Sequence, residues 1–124
     1  MPTRRLDTYF YHYPLDVEKM QEAADYLVGE HDFKSFCDNK RMKKSTIRRI
    51  SDIRINNSDG IITIDFYGNG FLYHMVRILT GTLLEAGSGQ RSAEDIPRIL
   101  QSLDRREAGF TAPAQGLFLV EVMY

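Results

Sequence analysis

The apolar positions of this chain change their period several times, and each change marks a structural element. "YFYHY" (Tyr9 to Tyr13) is aromatic and extended in character, and Pro14 stops it. "LDVEKMQEAADYLVGEHD" sets Val17, Met20, Ala24 and Leu27 at helical spacing, with Asp16 as cap and Gly29 as stop. His31 to Ser45 is polar and irregular, with Phe33 and Phe36 as its anchors. In "TIRRISDIRINNSDGIITIDFYG", Ile53 and Ile55 alternate with polar residues, "NNSDG" supplies a turn, and Ile62, Ile64 and Phe66 alternate again, which predicts a hairpin. An apolar helix from about Leu72 to Ala86 stops at Gly87. "GSGQ" then leads into "RSAEDIPRILQSL", a helix with Ser92 and Asp95 as a capping pair, although Pro97 lies late for a helix start. "DRREAGFTAPAQG" reads as a connecting loop and "LFLVEVMY" as a closing strand, apolar on both faces. The order β-α-loop-β-β-α-α-β predicts an α+β domain with helices packed on a mostly antiparallel or mixed sheet.

Composition narrows the class without changing that picture. The 124 residues fit one domain, and 43% hydrophobic content with 7 Phe and 7 Tyr is enough for an ordinary core. Sixteen basic residues against 17 acidic ones give a net charge of −1. This argues against a globally basic nucleic-acid binder but leaves room for a local basic patch. One cysteine, Cys37, excludes an intramolecular disulfide framework and suits a reducing compartment. No apolar run approaches the ~20 residues of a membrane span, and Met1 to Arg5 lacks a signal-peptide core, so a soluble cytoplasmic domain is expected.

Most candidate chemistry falls away. His12, His31, His74 and Cys37 are the nitrogen and sulfur donors, and no pair has a recognised metal-ligand spacing, so no metal is expected. "GNG" and "GSGQ" complete neither a Walker nor a dinucleotide pattern and read as turn glycines. "NKRMKKSTIRR" is more informative. Lys40, Arg41, Lys43, Lys44, Arg48 and Arg49 crowd together with no acid between them, either as a solvated loop or as phosphate contacts. Such a patch would give affinity for a nucleic-acid backbone and little sequence preference.

Arg77 is the odd residue of the apolar helix. At about 100° per residue, Leu72, Met75, Val76, Leu79 and Leu83 form one stripe, and Arg77 falls roughly 140° from its centre, beside Tyr73, Gly81 and Leu84. It is not aimed at the main core, yet its flank is partly apolar. Two options remain open on helix geometry: an arginine snorkelling at the surface, or one held at the mouth of a cleft for an anionic partner.

"FLYHMVR" (Phe71 to Arg77) followed by "GTLLEAG", and "TAPAQGLFLVEVMY" (Thr111 to Tyr124), resemble two hallmark segments of the TruA-type tRNA pseudouridine synthases. "LDVEKMQEAADYLVGEHDFKSF", "KSTIRRI" and "RSAEDIPRIL…DR…AG" resemble further segments of that family in the same order, nearly end to end. The resemblance covers only the family's C-terminal half. Its "GRTDxGVHA" segment, with the nucleophilic aspartate, and its "YRY" segment do not occur in the 124 residues.

The resemblance implies a pseudouridine-synthase-like fold and a reaction in the tRNA anticodon arm that uses no metal or organic cofactor. A uridine's glycosidic bond is broken, the uracil rotates, and it is rejoined through carbon. Arg77 aligns with the arginine that pairs with the catalytic aspartate, here outside the chain, and Leu117 with an apolar residue lining the uracil pocket. Phe71 and Tyr73 flank the motif as packing aromatics. The basic segment gains weight as a tRNA contact. Also implied are a homodimer, an apolar patch near Arg77 and Leu117 where the missing half would sit, and inactivity of these residues alone. A non-catalytic RNA-binding or dimerisation module that keeps the fold is the alternative.

Overall fold

The computed structural model describes the backbone of residues 4–11, 15–38, 45–58, 61–68, 70–72, 74–112 and 118–119, with side chains for these apart from 4–11, 57–58, 61 and 118–119. Its strands are β1 (Arg4–Tyr11), β2 (Gly29–Asp32), β3 (Ile47–Ser58), β4 (Ile61–Gly68) and β5 (Phe118–Leu119). Its helices are α1 (Val17–Asp25), α2 (Met75–Ser88) and α3 (Asp95–Ser102), with 3-10 turns at Lys34–Phe36 and Arg105–Glu107. The strands form one sheet in the order β2-β3-β4-β1-β5, and every pairing is antiparallel. The α+β expectation holds, and of the two sheet types it allowed, the antiparallel one is realised.

The hairpin is where the alternation placed it. Ile53 lies opposite Phe66 and Ile55 opposite Ile64, so one face of β3–β4 is a continuous apolar surface. Those side chains are buried with Met20, Ala23, Ala24 and Leu27 of α1 and Ile78, Leu79 and Leu83 of α2 in a single core. Phe33 and Phe36 are fully buried, as their role as anchors requires, and meet edge to face at 6.2 Å between centroids. Residues 59–60 of the hairpin turn, His12 and Tyr13 of the first aromatic run, Tyr73, and most of the closing strand lie outside the described residues.

Four boundaries differ from expectation. The first helix is capped by Asp16, whose Oδ1 accepts from Lys19 N at 3.2 Å, but it ends at Asp25. Gly29 is instead the first residue of β2, at φ +111°, and β2 occupies part of the segment expected to be irregular. The apolar helix begins at Met75 rather than about Leu72 and runs through Gly87 to Ser88, with the stop at Gly89 in the left-handed conformation (φ 86°). Gly87 serves a different need. A Cβ there would lie 2.6 Å from Met20 Cγ, and its carbonyl accepts from Asp16 N at 2.9 Å, so the glycine lets α1 cross close to α2.

The Ser92–Asp95 capping pair does not form. Asp95 turns to Arg91 (2.7 Å) and Arg98 (2.7 Å), while Ser92 Oγ accepts from Glu94 N at 3.3 Å. Pro97 is the third residue of α3, where a missing N–H costs no intrahelical bond. Finally, the segment after α3 is more than a connector: it makes a 3-10 turn and then lies along α2.

Candidate active site

Helix α2 is buried almost all round. From Met75 to Gly87 only Arg77 and Glu85 are partly exposed. The face on which Arg77 sits is covered by residues 108–112, which is why its neighbours Gly81 and Leu84 are apolar and buried. Gly109 N donates to Thr82 Oγ1 at 2.9 Å, and that hydroxyl donates to Ile78 O at 2.9 Å. At Gly81 the approach is closer still: an added Cβ would fall 1.8 Å from Phe110 O.

This second layer clasps Arg77 from both sides. Ala112 N donates to Arg77 O at 3.0 Å, and Arg77 Nε donates to Ala112 O at 2.7 Å. The guanidinium is partly exposed, and its terminal nitrogens have no hydrogen-bond partner among the described residues. Of five N–H donors, one is spent on orientation, and the other four find no acceptor among the described residues. An arginine fixed through Nε presents Nη1 and Nη2 side by side, the fork that binds a carboxylate or phosphate at two points. Helix geometry left snorkelling and presentation open; to these the structure adds a side chain oriented through Nε.

Around the clasp stands a group that sequence reasoning missed. Asp38 Oδ2 meets His74 Nδ1 at 2.8 Å, and its Oδ1 accepts from Arg105 Nε at 2.9 Å. Arg105 also donates through Nη1 to Gly109 O (2.8 Å) and through Nη2 to Thr111 Oγ1 (2.9 Å). Burial raises the pKa of the Asp38 carboxyl, but His74 and Arg105 outweigh it and hold the group below its ordinary value. His74 is the N-cap of α2 and carries φ 60°, a left-handed conformation uncommon outside glycine. These partners are 36 and 67 residues from Asp38, so no local pattern announces them.

The other sequence-derived site residues divide. Lys40, Arg41, Lys43, Lys44 and Leu117 lie outside the described residues. Arg48 is half-buried, and its Nη1 donates to Ser45 O (2.8 Å) and Ile47 O (2.7 Å), a local bracing role. Arg49 is exposed on β3, opposite Glu30 of β2. Phe71 is partly buried against the core, as expected for packing. Phe110 is 46% exposed although its backbone is pressed on Gly81, an apolar surface near the clasp that the pattern did not single out. His31 bonds Val28 O at 3.1 Å, and Cys37 is buried.

A second charge cluster fastens α3 and the turn after it to the far end of α2. Arg91 bonds Glu85 (3.0 Å), Asp95 (2.7 Å) and the Glu107 carbonyl (3.1 Å), and Arg98 bridges Asp95 and Glu107. Arg98 chiefly, and then Arg91, hold the Asp95 carboxyl below its ordinary value against the opposing effect of burial. A carboxyl with a lowered folded-state pKa stabilises fully above its unfolded value, about 3.9, and loses that contribution as pH falls through the folded value. Asp95→Asn is therefore expected to flatten the acid limb of stability below about pH 4, read from urea midpoints across pH. An acid limb identical to wild type would remove Asp95 from this role.

A family model described as tRNA pseudouridine synthase matches residues 23–124. The chain is 47% identical over 117 residues to a tRNA pseudouridine synthase A of Acetivibrio thermocellus, covering 94% of this chain and 48% of the relative. It is 45% identical over 124 residues to the protein of the same description from a Thermoanaerobacter species, covering 100% of this chain and 51% of the relative. With that of Limosilactobacillus reuteri it shares 48% over 125 residues, covering 99% of this chain and 49% of the relative. The chain thus spans about half the length of the curated relatives it matches.

Proposed function

Because the chain belongs to the tRNA pseudouridine synthase family, we propose that it is the C-terminal half of an enzyme that isomerises uridine to pseudouridine in the anticodon arm of tRNA. In this reading Arg77 meets the catalytic aspartate, which an upstream half of the same protein contributes. The observation that carries it is the clasp at Ala112, which fixes Nε and, among the described residues, leaves the two terminal nitrogens to face an anion. A catalytic aspartate must stay ionised in a pocket from which water is excluded, and desolvation works against that. A guanidinium remains charged at any working pH and binds both carboxylate oxygens, which opposes the desolvation. The absence of "GRTDxGVHA" from the 124 residues, and a length near half that of the relatives, both support a second half elsewhere.

Leu117 is assigned to the apolar wall of the uracil pocket, where a base is held by its faces while its edges rearrange. Lys40, Arg41, Lys43, Lys44, Arg48 and Arg49 are assigned to the tRNA backbone, with Arg49 the best supported through its exposure on β3. The same reading includes a cytoplasmic homodimer.

Rejoining the ring through C5 releases the hydrogen of that carbon, so tritium release from [5-3H]uracil-labelled tRNA follows the reaction. The 124 residues alone are expected to release none, and the full-length protein is expected to release it. Activity from the 124 residues alone would overturn the assignment of the nucleophile to another half. A full-length protein that binds tRNA yet releases no tritium would instead favour a non-catalytic RNA-binding or dimerisation module.

A further inference from the structure

Arg77 is aimed by a backbone carbonyl, and that carbonyl belongs to a stretch with no regular structure, so something must hold the stretch in place. Ala112 lies after the Arg105–Glu107 turn, in residues that form neither helix nor strand. Its approach to α2 is fixed from one side by Thr82 and from the other by Arg105, whose Nη1 and Nη2 hold Gly109 O and Thr111 Oγ1. A planar guanidinium can serve those two acceptors only if its plane is set, and its third nitrogen, Nε, donates to Asp38 Oδ1 at 2.9 Å.

The second oxygen of the same carboxylate holds the other side of the clasp. Asp38 Oδ2 bonds His74, the residue at which α2 begins and whose carbonyl accepts the helical bond from Ile78 N at 3.0 Å. His74 is three residues before Arg77, one turn away, and its left-handed backbone fixes where the first turn of α2 points. The geometry points to Asp38 as the positioning residue for Arg77. One carboxylate joins the start of the helix that carries the arginine to the segment that orients its guanidinium. Hydrogen bonds link His74 to Asp38, Asp38 to Arg105, Arg105 to Thr111 and Ala112 to Arg77, and the chain from Thr111 to Ala112 and from His74 to Arg77 closes the ring. This rests on the reading of Arg77 as the active-site arginine. It adds that the aim of the guanidinium is set by a residue whose described hydrogen bonds go to His74 and Arg105 rather than to Arg77.

The test separates the two claims. Hydrogen exchange at Arg77 Nε–H, followed by nuclear magnetic resonance, reports the clasp without any catalysis. Asp38→Ala is expected to speed it about ten-fold, and so is Arg105→Lys, which keeps the charge facing Asp38 but cannot reach three acceptors. The double variant is expected to exchange no faster than either single one, because both cut the same ring. Asp38→Asn offers an acceptor to Arg105 and, with a change of histidine tautomer, a donor to His74, so it should fall between Ala and wild type. In the full-length protein, Asp38→Ala is expected to lower kcat about 10- to 100-fold with KM for tRNA within about twofold. Unchanged exchange in both single variants, or effects that multiply in the double, would overturn the positioning role. Faster exchange with unchanged kcat would overturn its bearing on catalysis. A wild-type full-length protein without activity would instead overturn the functional reading, and the exchange data would still decide the ring.

Discussion

Arg77→Lys in the full-length protein is expected to lower kcat by about 10³-fold or more while leaving the fold intact, although it conserves charge. Electrostatic stabilisation by an oriented donor is worth about 10²–10³ in rate when a single donor is removed. Lysine removes more than one. It lacks Nε, so the bond to Ala112 O that orients the side chain is lost. Its ammonium is a point charge, and a carboxylate that was held at both oxygens would be held at one. It is also more strongly hydrated, so it carries water toward a helix face whose other residues, Gly81 and Leu84, are apolar and buried. Stability should move little, because the one side-chain hydrogen bond of Arg77 among the described residues is part-buried, and such a bond contributes about 1 kcal/mol. Single-turnover pseudouridine formation and urea unfolding of the same variant check both halves of this expectation. A kcat within tenfold of wild type would remove Arg77 from the chemistry.

That expectation joins two sources of information of different kinds. The helix pattern correctly set Arg77 off the main apolar stripe, and it correctly noticed that the flank was not a wet one. What it lacked was the reason. Face arithmetic assumes that the side of a helix turned away from the core meets solvent, and here residues 108–112 lie on it. Gly81 was the local sign of that close approach, since a glycine inside an apolar helix without a kink often marks another backbone nearby. The chemical role came from resemblance, because spacing alone cannot say which anion an arginine faces.

The legible parts of the fold were those whose signal is local and repeated. The β3–β4 hairpin carries its period in Ile53, Ile55, Ile62, Ile64 and Phe66, all of which are buried. The start of α1 carries its own cap in Asp16. Strand β2 has no such signal. It is four residues, Gly29–Asp32, at the edge of the sheet, with none of its residues fully buried, and it exists because β3 offers it a partner. The end of α2 offered two glycines, and the core claimed one of them: Gly87 lies against Met20 inside the helix, leaving Gly89 as the stop. Asp38 was invisible for a related reason, since its significance lies in two partners far along the chain.

Gly81→Ala separates a glycine tolerated by a helix from a glycine required by its neighbour, and the two readings predict opposite signs. If helix propensity alone governed, alanine would stabilise by about 1 kcal/mol. The contact opposes this. The added Cβ would stand 1.8 Å from Phe110 O, 2.8 Å from Phe110 C and 3.3 Å from Phe110 Cγ. Two of those atoms are backbone, so no rotamer change relieves them, and α2 is buried on its other faces and cannot retreat. Residues 109–112 must lift. Lifting breaks the bonds from Gly109 N to Thr82, from Ala112 N to Arg77 O and from Arg77 Nε to Ala112 O, each contributing about 1 kcal/mol. With overpacking at about 1–3 kcal/mol, the net expectation is destabilisation of about 3–5 kcal/mol even after the propensity gain. Function should fall further than stability, because the guanidinium of Arg77 would lose its orienting carbonyl while the molecule stays folded. Urea unfolding gives the sign, and hydrogen exchange at the Gly109 and Ala112 amides tells where the loss occurs. A more stable Gly81→Ala protein with protected Ala112 would mean that this segment does not rest on α2, and the clasp on Arg77 would fall with it.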